Sequence, residues 1–131
     1  MRDVVPPVLV VEDDAGVRRL LEHALLDAGF EVAFATHGAE ALRFLRERPV
    51  LAVMLDLVLP WVNGIEVLAD MRADARLMKV PVLVITGTST HEHDLRAFQP
   101  VVVVRKPFDA DRVIEMLRTQ LRENGTALGR E

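Results

Sequence analysis

Four short aliphatic runs, each closed by a charged or polar residue, constrain the fold of this chain more than any other feature. They are Val8 to Val11, Leu51 to Leu55, Val80 to Ile85 and Val101 to Val104. Such runs read as strands buried on both faces, the mark of a parallel sheet covered by helices. The second run continues to Pro60 and carries a single acid, Asp56. Desolvating a carboxylate inside a buried strand is expensive, so Asp56 belongs at the strand's end. In open α/β sheets that carboxyl edge is also where ligands bind. Asp56 is therefore read as the floor of a polar pocket, with a simple turn-capping acid as the plainer alternative.

The segments between the runs have helical period. Val17, Leu20, Leu21, Ala24, Leu25 and Ala28 fall on one face, with Asp14 as cap and Gly29 as a positive-φ stop. Phe30 to Ala35 alternates loosely and reads as a further strand. Ala39 to Arg48 is a helix with Ala41, Leu42 and Leu45 toward the sheet, and His37 caps it or follows the strand. A third helix starts at Asn63 or Gly64, buries Ile65, Leu68 and Met71, and fades near Asp74. His91 to Phe98 is expected to form a short helix, broken by Gln99-Pro100. Pro81 is tolerated only near a strand start. A last helix, capped by Asp109, lines Val113, Leu117 and Leu121, supported by Ile114 and Met116.

Five strands alternating with five helices predict one doubly wound α/β domain, a five-stranded parallel sheet with helices on both faces. Its expected bounds are residues 5–123, with 124–131 as a C-terminal tail. A chain of 131 residues suits a single domain. The formal charge of -4, with no basic block, argues against direct nucleic-acid binding. With no cysteine, disulfides and thiolate zinc sites are excluded. No signal peptide and no run long enough to span a bilayer stand out, so no membrane insertion and a cytoplasmic location are expected.

In such a sheet every strand points its C-terminal end to one edge. Glu12, Asp13 and Asp14 follow the first strand, Asp56 the third, Thr86 the fourth and Lys106 the fifth. Clustered carboxylates call for a cation, since like charges would otherwise force a proton onto one member. An all-oxygen ligand set suits a hard ion such as Mg2+. Lys106 adds a fixed positive charge and Thr86 a hydroxyl donor. This is what phosphoryl transfer to a carboxylate requires, and carboxylates need no separate base near neutral pH.

At this point the sequence resembles the response-regulator receiver domain of two-component signalling, the CheY-like family. The matching stretches are Val-Leu-Val-Val-Glu-Asp-Asp at 8–14, Met-Leu-Asp-Leu-Val-Leu-Pro at 54–60 with Asn63-Gly64, Val-Ile-Thr-Gly at 84–87, and Arg-Lys-Pro-Phe at 105–108. The resemblance spans about Val8 to Leu121. It implies a flavodoxin-like strand order of 2-1-3-4-5. It makes Asp56 the phosphorylated residue, Asp13 a direct magnesium ligand, Glu12 the other member of the acidic pair, and the Val58 carbonyl the last protein ligand. Lys106 matches the family's lysine, Pro107 a residue often preceded by a cis bond, and Thr86 the switching hydroxyl. Asp14 is better read as a helix cap.

There are departures. The family usually has an aromatic residue three before the lysine, and here that place is Val103, which is stiff and has no ring to move. The chain between Thr86 and Lys106 is a residue or two short, and Gln99-Pro100 replaces a small pair. Val58 and Thr88 match positions that tune water attack, and neither is an acid or an amide. His91 and His93 read as a solvated loop rather than a metal site, and His23 as exposed. Arg105 is read as pointing to solvent and Phe108 as packing under the last helix. Trp61 is either a contact for a kinase or a cover for its own loop.

The resulting expectation is a phosphoacceptor module, not an enzyme beyond its own phosphoryl transfer and slow autodephosphorylation. Its partners would be a sensor histidine kinase or histidine phosphotransfer protein and an unidentified downstream effector. The alternative is an interaction module with the same fold that works without phosphorylation. A metal-dependent phosphatase would want a second acid at Val58, and a nucleotide protein a glycine-rich first loop. No output domain follows, so the expected mode is docking to other proteins, unless the chain is a fragment.

Overall fold

The computed structural model describes residues 5–87 and 93–124. Among them the chain runs β1 (Val8–Val11), α1 (Ala15–Asp27), β2 (Val32–Ala35), α2 (Gly38–Glu47), β3 (Ala52–Leu55), α3 (Gly64–Ala73), β4 (Val82–Thr86), a 3-10 segment (His93–Phe98), β5 (Val101–Arg105) and α4 (Ala110–Glu123). The strands are all parallel in the order β2-β1-β3-β4-β5. The doubly wound α/β sheet expected from the aliphatic runs is therefore the fold observed.

Alternation along each strand divides the core in two. Leu9, Val11, Val53, Leu55, Val82 and Val84 meet α2 and α3. Val8, Val10, Ala52, Met54, Leu83 and Ile85 meet α1 and α4. Because both strand faces are covered, the central strands are buried at every position. Register then sets the edge: Val11 pairs with both Ala35 and Leu55. Three strands end level, and whatever follows them is forced together.

Local chemistry starts and stops the helices as read. The Asp14 carboxylate accepts the Val17 N–H at 3.0 Å, and Gly29 takes φ 94° just beyond α1. His37 caps α2 through Nδ1, which accepts the Glu40 N–H at 3.2 Å. Asn63 and Glu66 form a reciprocal capping box at α3, with both bonds at 3.0 Å. The Lys106–Pro107 peptide bond is cis, as the resemblance implied, and so is Gln99–Pro100.

Several expectations are corrected. Leu20 is 46% exposed, because six apolar positions on α1 span more than the arc that the sheet covers. On α3 the buried set is Val67, Leu68 and Met71, and Ile65 is only partly covered. Leu42 is likewise only partly covered. The second strand begins at Val32 rather than Phe30, the third at Ala52, and the fourth runs from Val82 through Thr86. The short helix expected over 91–98, fourth in chain order, is present, and its form is 3-10 rather than α. The described part of it, His93–Phe98, is six residues of 3-10 helix. Pro100 blocks its continuation, and the tighter 3-10 pattern is the one used in short pieces. Residues 88–92, including Thr88, His91 and Glu92, lie outside the described residues, as does the side chain of His93. Of the expected tail, Asn124 is the C-cap of α4 and donates from Nδ2 to Lys79 O at 2.6 Å. Residues 125–131 lie outside the described part. Among the described residues no helix is long and apolar enough to cross a membrane.

Candidate functional site

The level strand ends build the site. The ladder runs one residue past β1 and β3: Glu12 N donates to Ala35 O at 3.0 Å, and Asp56 N to Val11 O at 3.0 Å. Glu12 and Asp56 thereby stand side by side on neighbouring strand ends. On the other side, Lys106 N donates to Thr86 O at 2.9 Å, which fixes the residue after β5 against the end of β4. Glu12, Asp56 and Thr86 are the buried polar and charged residues among those described.

Glu12, Asp13 and Asp56 each place a carboxylate oxygen within 4.8 Å of the others. Lys106 Nζ lies 3.3 Å from Glu12 Oε1 and 3.3 Å from Asp56 Oδ2. The second oxygens are also held: Val58 N–H donates to Asp56 Oδ1 at 2.9 Å, and Asp14 N–H to Glu12 Oε2 at 3.2 Å. Asp13 is exposed at the mouth. Thr86 is buried where β4 ends. Arg105, beside Lys106, is exposed.

Two tight approaches shape the floor. A Cβ on Gly64 would sit 2.5 Å from Asp56 O and 2.6 Å from Leu57 Cα. A Cβ on Gly38 would sit 2.2 Å from Val62 O. The loop from Leu57 to Asn63 is thus pressed between α3 and the start of α2. On that loop Trp61 takes φ 62° and is 84% exposed, with its ring edge-on to His37 at 5.4 Å. So exposed an indole does not cover its own loop. Val58 is exposed as well.

The electrostatics are those of a cluster short of positive charge. Burial, and then the neighbouring Asp56 charge, push the Glu12 carboxyl up from 4.5 to about 7. Burial alone would lower Lys106, but Asp56 and Glu12 outweigh it and raise the ammonium. The Val17 N–H holds the exposed Asp14 carboxyl down, in keeping with its role as a cap. At an effective dielectric of about 20, two ionised carboxylates 4.8 Å apart repel by about 3 kcal/mol. One lysine does not offset three acids, and the Glu12 carboxyl is raised accordingly. An all-oxygen, electron-rich donor set of this kind fits a hard divalent cation.

The structure therefore brings together Glu12, Asp13, Asp56 and Lys106, and ties Thr86 to Lys106 through the backbone. Two structurally important arginines, one beside this arrangement and one at the opposite edge of the sheet, were not singled out in the sequence. Arg18, on α1, donates from Nη1 to Glu12 O at 2.9 Å. Its position four after Asp14 was visible, but its direction was not. Arg72, on α3, reaches four carbonyls that precede β4 and β5, away from the pocket, and nothing in its spacing announces that.

Comparison with known proteins agrees with this geometry. A family model described as the response regulator receiver domain matches residues 8–118. The transcriptional regulatory protein PrrA of Mycobacterium tuberculosis is 35% identical over 123 residues, covering 92% of this chain and 52% of that protein. The DNA-binding response regulator MtrA of Mycobacterium leprae is 35% identical over 120 residues, covering 89% of this chain and 52% of that one. The chain thus spans about half the length of these curated relatives. One of them is named as DNA-binding, so the relatives lend no support to the expectation that nucleic acid is not bound directly. Among solved structures, the response regulator TrrA of Thermotoga maritima, in complex with Mg(2+)-BeF, superposes with a TM-score of 0.79 at 27% identity. The match covers 88% of this chain and 99% of that one.

Proposed function

Since the chain belongs to the response regulator receiver domain family, we propose that it takes a phosphoryl group on Asp56 from a phosphohistidine donor and carries it as a signal. The observation that carries the reading is the pocket itself: three carboxylates within 4.8 Å of one another, with Lys106 Nζ 3.3 Å from two of them.

In this reading an Asp56 carboxylate oxygen attacks phosphorus while the donor's phosphorus–nitrogen bond breaks. The bonding pair leaves with the imidazole. Glu12, Asp13 and Asp56 would hold Mg2+, with the Val58 carbonyl as a further ligand. The ion supplies charge neutralisation for the carboxylates and the incoming phosphoryl oxygens. Lys106 supplies further donors to those oxygens, and Thr86 a hydroxyl from the neighbouring strand end. Val58 N–H, already on Asp56 Oδ1, fixes the carboxylate's orientation. Water attack on the acyl phosphate returns Asp56 and inorganic phosphate, so the chain catalyses only its own turnover. The related TrrA complex with Mg(2+)-BeF supports both the ion and the phosphoryl site. The donor would be a sensor histidine kinase or histidine phosphotransfer protein in the cytoplasm, with exposed Trp61 and Val58 among its contacts.

Incubation with Mg2+ and acetyl phosphate, read by intact mass, tests this directly. One phosphoryl adduct is expected, lost in D56A. No adduct, or an adduct that survives D56A, would refute it. A second reading, an interaction module indifferent to phosphate, draws on half-buried Val103 and the 3-10 segment before β5. It predicts partner affinity unchanged between phosphorylated protein and D56A.

A further inference from the structure

Three acids share the pocket, but they are not equally held. The Glu12 carboxylate is buried and bound by Lys106 and the Asp14 N–H. The Asp56 carboxylate is buried and bound by Lys106 and the Val58 N–H. Asp13 is exposed, and among the described residues no hydrogen bond or ion pair holds its carboxylate. Left to itself it would swing away from two like charges, each pair repelling by about 3 kcal/mol when ionised.

What the fold does hold is the backbone from which that side chain departs. The Arg18 guanidinium donates from Nη1 to the Glu12 carbonyl oxygen at 2.9 Å. That oxygen belongs to the peptide unit joining Glu12 to Asp13, and the unit is planar. Holding the oxygen fixes the plane from which the Asp13 Cα and side chain depart. The helix carrying Arg18 is itself anchored to the same turn: Asp14 Oδ1 accepts the Val17 N–H at 3.0 Å, and Asp14 O accepts the Arg18 N–H at 2.9 Å. Arg18, Asp14 and Glu12 thus close a ring of bonds around Asp13, which itself makes none of them.

We propose that Arg18 is a positioning residue for Asp13 and through it sets the divalent-cation affinity of the acid pocket. The inference rests on the reading of that pocket as a magnesium site. Arg18 acts on the backbone of a ligand, as outer-shell partners of metal ligands do, and their loss typically weakens binding 10- to 100-fold.

Calorimetric titration of Mg2+ into the wild type, R18A and R18K tests it, with thermal unfolding in EDTA alongside. R18A is expected to bind Mg2+ about tenfold more weakly. R18K keeps a charge and a donor and is expected to recover most of the loss. Acetyl phosphate labelling of R18A is expected to need about tenfold more Mg2+ than the wild type for half its full extent, since the defect lies in affinity. Unchanged Mg2+ affinity in R18A would overturn the inference while leaving the pocket reading in place. So would an equal loss in R18A and R18K tracking a lowered unfolding midpoint in EDTA. Wild type that binds no Mg2+ would overturn the pocket reading and this inference with it.

Discussion

Replacing Arg72 with methionine isolates the device that holds the start of β5, where the described residues before it form a 3-10 segment. The guanidinium donates to Phe98 O at 2.7 Å, Leu77 O at 3.2 Å, Val80 O at 2.8 Å and Pro100 O at 2.7 Å. Desolvation lowers its own affinity for the proton, a sign of how far it is withdrawn from water. Leu77 O keeps a second donor, the Val80 N–H at 3.0 Å, so the other three carbonyls bear most of the loss. A partly buried carbonyl robbed of a donor costs about 1 kcal/mol, which gives about 3 kcal/mol for R72M. Methionine keeps the apolar stem, so little packing is lost. In urea, with a slope of about 2 kcal/mol per molar, the midpoint should fall by about 1.5 M at unchanged slope. R76M is the control. Arg76 donates to Leu45 O and pairs with Asp74 at 3.7 Å from a half-exposed position, so it should cost under about 1 kcal/mol. Acetyl phosphate labelling should persist in R72M, because Lys106 is held at the far end of β5 by Thr86 O. A loss below about 1 kcal/mol in R72M, or one no larger than in R76M, would refute the carbonyl-clamp account.

The Glu12 carboxyl, raised from 4.5 to about 7 in the fold, makes stability depend on pH in a set direction. The folded state binds the extra proton, so that stability is fully present below about pH 4.5 and lost as pH rises through about 7. In EDTA, E12Q should match wild type near pH 5 and exceed it by up to about 3 kcal/mol at pH 8, measured by urea unfolding. Adding Mg2+ at pH 8 should narrow that gap from the wild-type side. G64A should drive a Cβ into Asp56 O and Leu57 Cα, costing about 2 kcal/mol and slowing acetyl phosphate labelling. G29A has open space around the new methyl but φ 94°, so it should cost about 1 kcal/mol of strain with labelling unchanged. Equal labelling in G64A and G29A would contradict the tight-floor argument.

Much of the site was legible because it is made by strand ends. An aliphatic run marks a buried strand, its last polar residue marks the exit, and parallel order sends all exits to one edge. Glu12, Asp13, Asp56 and Lys106 could therefore be grouped from position alone. The helix caps at Asp14 and Asp109 were legible for a related reason: each is a bond between residues two or three apart. Leu20 was misjudged because periodicity gives a face but not its width. The short helix before Pro100 was legible, but its 3-10 form was not, because its apolar residues do not distinguish 3-10 from α.

The amino-acid sequence alone determined the parallel sheet and the convergence of acids and lysine, since these follow from period and short-range chemistry; the strand order came only with the resemblance to the receiver family. Only the tertiary structure decided that Arg72 would clamp Phe98 O and Pro100 O, 26 and 28 residues away. It likewise decided that Arg18 would turn back to Glu12 O, and that Trp61 would stand exposed at φ 62°. The physical reason is that these depend on where a loop's backbone arrives after distant elements have packed. A carbonyl is present on every residue, so its capture by a guanidinium leaves no mark in the order of side chains.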